Sequence, residues 1–168
     1  MMIKVVYHIA DIHIRLFKRH SEYQNVLNKF YKEVEKDIKK RKLSKNEVRI
    51  AIAGDLVHSK NQMTPELVSF VIKMLNDCTN ICKTVIILGN HDFLSNNLDR
   101  MDALSPLIES LGNDDILFYK DTGCYEDENV VWCVYSQITE SDRPNIEKSK
   151  EKFPEKIHIG LYHDPIVG

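Results

Sequence analysis

Three short runs of β-branched and aliphatic residues, each leading straight into a polar corner, constrain this chain more than any other feature. Thr84-Val85-Ile86-Ile87-Leu88 enters Gly89-Asn90-His91-Asp92, Val5-Val6-Tyr7-His8-Ile9-Ala10 enters Asp11-Ile12-His13, and Val48-Arg49-Ile50-Ala51-Ile52-Ala53 enters Gly54-Asp55-Leu56-Val57-His58. Runs of this length read as buried strands of a parallel sheet, and the amphipathic stretches between them supply its crossover helices. In an open α/β sheet, chemistry gathers at the strand ends. Glycine lets the chain turn sharply there, and Asn, His and Asp together offer a carbonyl oxygen, an imidazole and a carboxylate.

Along the chain, Ile3 to Ile9 reads as a strand buried on both faces except for Tyr7 and His8, with His8 a satisfied core histidine outside the site. Asp11 and His13 stand two apart, so extended backbone would point both to one side to grip one ion. Ser21 reads as the N-cap of a long helix whose Tyr23, Val26, Leu27, Phe30, Tyr31, Val34 and Ile38 form a core-facing stripe. Glu47 to Ala53 is the second strand, bringing Asp55 beside Asp11 if the two strands are neighbours. Thr64-Pro65-Glu66 opens a helix through about Asp77, and Thr84 to Leu88 is the third strand. Met101 to Leu111 reads as a short helix ended by Gly112-Asn113. Ile116 to Tyr119, Cys124 to Tyr125 and Val130 to Tyr135 look like strands shifting towards a meander. Ser141 to Glu155 reads as a long surface loop or lid, and Lys156 to Tyr162 as a last strand ending at His163.

With 168 residues, no internal repeat and no linker, the chain reads as one domain over 1–168. Its net charge of −2 gives no global attraction to nucleic acid or anionic lipid, so phosphate contacts must be local or metal-mediated. The tract from Lys36 to Lys42 reads as the solvated end of a helix. For the basic loop from Arg15 to His20, phosphate contact and plain solvation stay equally open. Cys78, Cys82, Cys124 and Cys133 form no C-x-x-C pair and read as reduced thiols. With no signal-peptide pattern and no apolar run of spanning length, the expected location is intracellular, cytoplasmic or nuclear, without membrane contact.

Hydrolysis of a phosphodiester near neutral pH needs a strong nucleophile and neutralised phosphoryl oxygens, which two divalent metals roughly 3.5–4 Å apart provide. Asp55 suits the bridge between them, with Asp11 and His13 on one ion and Asn90 with His163 on the other. His91 can protonate the leaving oxygen, with Asp92 fixing its tautomer. Each motif alone also suits a simple turn. Their recurrence at successive strand ends favours a shared site.

Together, Asp11-x-His13, Gly54-Asp55-x-x-His58, Gly89-Asn90-His91-Asp92 and His163 resemble the calcineurin-like metallophosphoesterases. His8-Ile9-Ala10-Asp11-Ile12-His13 and Gly54-Asp55-Leu56-Val57-His58 look like the SbcD-type DNA repair exonucleases. The phosphatase-type Gly-Asp-x-Val-Asp-Arg-Gly and Gly-Asn-His-Glu are not matched, which disfavours a phosphoprotein substrate. The resemblance implies a four-layer α/β/β/α sandwich with its second half incomplete, and two manganese ions, with magnesium as the alternative. It also implies nuclease action on DNA, an SMC-like coiled-coil ATPase of SbcC type as partner, and allows a homodimer. By position, Asp11, His13, Asp55, Asn90 and His163 would be ligands, His91 the catalytic histidine supported by Asp92, and His58 would lie just behind the ligands. Arg15, Lys18, Arg19 and Arg100 are the candidates for DNA contact. The family's later Gly-His-x-His segment is absent before Gly168, which suggests a piece of a longer chain and one missing ligand per ion. A phosphodiesterase on small nucleotides and a catalytically incomplete scaffold module are the competing readings.

Overall fold

In the computed structural model, which describes residues 2–139 and 143–163, the apolar runs form strands β1 (Val5–Ile9), β2 (Val48–Ala53) and β3 (Thr84–Ile87), joined by helices α1 (His20–Arg41) and α2 (Pro65–Ile81). Helix α3 (Ser105–Leu111) leads to β4 (Ile116–Phe118), completing a parallel sheet in the order β1-β2-β3-β4. A second sheet contains β5 (Gly123–Asp127), β6 (Val130–Tyr135) and β7 (Ile157–Tyr162), with helix α4 (Ile146–Lys152) before its last strand.

Alternation along the strands builds the layers. In β2, Val48, Ile50 and Ile52 pack with Leu27, Leu67, Val71 and Leu75 of the helices, while Ala51 and Ala53 face Val130, Trp132 and Val134 of the second sheet. Successive side chains leave a strand on opposite faces, so one segment serves two cores. The small alanines leave room for Trp132, which is fully buried. On the second sheet, Ile159 and Leu161 face inwards. His158 lies within 3.1 Å of Ser149 Oγ on α4, placing that helix outside. The expected α/β/β/α order is therefore present.

Polar bonding ties the same sheets together. Arg49 of β2 donates from Nε and Nη2 to Asp127 of β5 at 2.8 and 2.7 Å, and Trp132 Nε1 donates to the same carboxylate at 3.1 Å. Both members of this ion pair are buried. Burial of charge is tolerated when it is paired and its hydrogen bonds are satisfied.

The structure departs from the sequence pattern at several points. β1 is an edge strand and half-buried, because its one strand neighbour among the described residues is β2. α1 begins at His20 after Arg19 in left-handed backbone (φ 62), so Ser21 lies inside the helix and no side chain caps it. Thr64 does cap α2 by accepting from Leu67 N–H, but the helix continues to Ile81. α3 starts only at Ser105, because the Asp102 carboxylate accepts from the amides of Leu104 and Ser105 and turns the chain there. Part of the expected loop after β6 is α4, capped by Asn145, and β7 then runs parallel to β6, so the second sheet is no simple meander. Ser141 and its two neighbours lie outside the described residues.

Candidate metal centre

Parallel pairing of β1 with β2 continues past the strands and zips their exit loops together. Asp11 N–H donates to Gly54 O at 3.2 Å, His13 N–H to Asp55 O at 2.9 Å, and Ile14 N–H to Leu56 O at 2.9 Å. Asp11, His13 and Asp55 all adopt positive φ, at 54, 50 and 53°. The two residues of Asp11-x-His13 are thus not in extended backbone, as their spacing suggested. Left-handed backbone costs a non-glycine residue of order 1–3 kcal/mol and concentrates at functional sites. Here it turns three side chains towards one point.

Asp55 is the hub. Its carboxylate is buried, its Oδ1 accepts from His91 N–H at 2.8 Å, and its Oδ2 lies 3.4 Å from His13 Nε2 and 3.3 Å from His163 Nε2. Asp11 Oδ1 stands 3.7 Å from His13 Nε2 and 3.9 Å from His163 Nε2. His163 arrives from the end of β7, and its Nδ1 lies 2.7 Å from Ala53 O. A carbonyl can only accept, so Nδ1 carries the proton and Nε2 presents its lone pair, the tautomer a metal ligand requires.

Two glycines make the convergence sterically feasible. A Cβ on Gly89 would lie 2.2 Å from Asp55 Oδ1, and one on Gly54, where φ is 86°, would lie 2.6 Å from His163 Cγ.

A cavity of about 430 Å³ opens over the cluster, lined by Asp11, Asp55, Asn90 and His163 together with His8 and Tyr162. His8 is exposed at this wall and is no core histidine. Lys60, also missed from the sequence, donates from Nζ to Asn90 O at 3.0 Å. Its loop carries no periodic signal that would have marked it.

His91 stands beside the carboxylates, its ring centroid 4.7 Å from that of His13 and perpendicular to it. Its Nδ1 is 2.9 Å from His58 O, so that carbonyl holds the ring. Asp92 is spent elsewhere: it is fully buried and accepts from Gly89 N–H at 2.9 Å and Val57 N–H at 3.0 Å, pinning the 89–92 turn to the loop after β2. Burial pushes its carboxyl group up to about 7, against the pull of those amides. The exposed His58 stacks on His91 at 5.7 Å, and the partial loss of water around its ring, with the nearby Arg15 charge, holds its imidazole below the ordinary range. Arg15, Lys18 and Arg19 are exposed on the loop before α1, and Arg100 is exposed in the loop between β3 and α3.

The donor set suits a divalent cation. Two carboxylates, two imidazoles and the Asn90 amide mix hard oxygen with nitrogen, and the paired negative charges of Asp11 and Asp55 are those a cation neutralises. His13 Nδ1 is buried and has no hydrogen-bond partner among the described residues.

Such a donor set at the strand ends of an α/β/β/α sandwich has the makeup of a metal-dependent hydrolase. The particular family follows from comparison: residues 4–167 match the model of the calcineurin-like phosphoesterases, and the chain belongs to that family, whose members use divalent metals. The uncharacterized protein R555 of Acanthamoeba polyphaga mimivirus is 37% identical over 171 residues, covering 98% of this chain and 12% of that protein's length. Among solved structures, nuclease MPE of Pseudomonas putida matches with a TM-score of 0.42 and 19% identity over 77% of this chain and 54% of that one. The described residues contain no helix long and apolar enough to cross a membrane.

Proposed function

We propose that the chain carries the centre of a metal-dependent DNA nuclease of the SbcD type, hydrolysing phosphodiesters with manganese as the favoured ion. The observation that carries this reading is the convergence of Asp11, His13, Asp55 and His163 with His91 alongside. Asp11, His13, Asp55, Asn90 and His163 would hold a divalent pair, which when bound supplies a water of lowered pKa and neutralises phosphoryl charge.

The remaining work falls to the chain. Asp55 is held by the His91 amide, so its free Oδ2 stays aimed at the centre. With its Nδ1 fixed on the His58 carbonyl, His91 presents Nε2 towards the site, where in its protonated form it gives a proton to the leaving oxygen. Asp92 positions the turn that carries both Asn90 and His91. Lys60, beside Asn90, adds positive charge where a phosphodiester backbone enters, and Arg15, Lys18 and Arg19 extend it on a neighbouring loop. A coiled-coil ATPase of the SMC-like class is the partner this reading implies, and a homodimer is compatible with it.

The experiment is hydrolysis of linear duplex DNA beside a cyclic dinucleotide in manganese, by this protein and its His91→Ala variant. The reading expects DNA to be cut, with a loss of about 10²–10⁴-fold in the variant. Exclusive turnover of the small nucleotide, or full activity in His91→Ala, contradicts it.

A further inference from the structure

We propose that His13, His58 and His91 form a second metal site, built from imidazoles alone, that takes a zinc-class ion and lies beside the carboxylate centre. Three strand-exit loops supply one histidine each. One ligand atom from each ring lies within 4.8 Å of the other two. The centroids of His13 and His91 are 4.7 Å apart, and those of His58 lie 5.7 Å from both. Zinc–imidazole bonds of about 2.0–2.1 Å put tetrahedral donors roughly 3.3 Å apart, so the rings close by up to about 1.5 Å to bind.

Three further observations favour an ion there. The His58 carbonyl fixes the proton of His91 on Nδ1, leaving Nε2 as a lone-pair donor. His13 Nδ1 is buried without a partner, against the general rule that buried polar atoms are satisfied. His58 is exposed, which gives an ion a way in from solvent.

The two clusters differ in chemistry. Asp11, Asp55 and His163 offer mostly carboxylate oxygen, suited to manganese or magnesium, whereas three neutral imidazoles suit zinc, cobalt, nickel and copper. His13 borders both, since its Nε2 faces the carboxylates. Zinc on the three imidazoles occupies the His91 lone pair, so it acts as an inhibitor of manganese-supported turnover. That consequence rests on the function proposed above. The binding itself does not.

The test is calorimetric titration with zinc of the wild-type chain, His58→Ala, His58→Gln and His163→Ala, with circular dichroism to establish folding. The exposed His58 can be replaced without opening the core. The proposal expects zinc affinity to fall roughly tenfold or more in both His58 variants, as loss of one of three ligands requires. It also expects His163→Ala to keep the wild-type zinc affinity within about threefold, because that ring contacts Asp11, Asp55 and the Ala53 carbonyl of the other centre. Cobalt should give the intense visible bands of a four-coordinate ion held by three imidazoles and a solvent molecule in wild type, and lose them in His58→Ala. Unchanged zinc binding in the His58 variants overturns the site, as does its disappearance in a folded His163→Ala. Neither readout depends on hydrolysis, so failure of the nuclease reading would leave this result interpretable.

Discussion

His163 Nε2 stands 3.3 Å from Asp55 Oδ2, joining the last strand of one sheet to the corner that leaves the second strand of the other. The centre therefore exists only when the two sheets are docked. Anything that loosens their packing should weaken metal affinity, even far from the ligands.

The Arg49–Asp127 pair offers the first test. Removing one partner strands a buried charge, so Arg49→Met should destabilise the fold by about 3–5 kcal/mol, and Arg49→Met with Asp127→Leu should recover much of it. Urea unfolding of the single and double variants measures this. Equal losses in both would mean that the pair contributes through shape and not through charge compensation.

Gly54 and Gly89 should be as intolerant as any ligand. Alanine at Gly89 forces a Cβ to 2.2 Å from Asp55 Oδ1, and at Gly54 to 2.6 Å from the His163 ring. Overpacking of this sort costs about 1–3 kcal/mol, and its relief must move Asp55 or His163, the candidate ligands. Each variant should remain folded and bind manganese at least tenfold more weakly, roughly, because ligand positions are held tightly by their supports. Wild-type affinity in Gly89→Ala would count against Asp55 as the hub.

Acid sensitivity has a specific source at the start of β1. The Lys4 ammonium and the Ser44 amide and hydroxyl hold Glu47 down to about 2, below its unfolded value of 4.5. A depressed carboxylate contributes stability that is complete above the unfolded pKa and lost as pH falls through the folded one. The stability gap between wild type and Glu47→Gln should therefore be constant above about pH 5 and close between about pH 4.5 and 2. Denaturation at a series of pH values reads it directly. A gap that does not narrow would assign the acid response to other carboxylates.

Much of this architecture was legible because apolar runs of strand length were followed at once by ligand-type residues, and Thr64 announced α2. The backbone at Asp11 and His13 was not legible, since spacing alone suggests extended chain and the observed turn comes from zipping against the loop after Asp55. Helix α4 escaped because Glu147 to Lys152 is almost wholly polar, although Asn145 was a readable cap, accepting from Lys148 N–H. His8 escaped because a histidine within a β-branched run reads as core, whereas at the edge of the sheet it faces the cavity. The Asp127 partner of Arg49 lies 78 residues away, beyond any local pattern. Adjacency in the sequence suggests Asp92 as the partner of the His91 ring. The fold uses it to bind two amides.

The most direct measurement is a manganese titration of this chain beside Asp55→Ala, by calorimetry, with folding established for both. The account predicts binding in the wild-type chain and its loss in the variant. Absence of binding to the folded wild type, or equal binding to Asp55→Ala, would contradict a metal centre organised around Asp55.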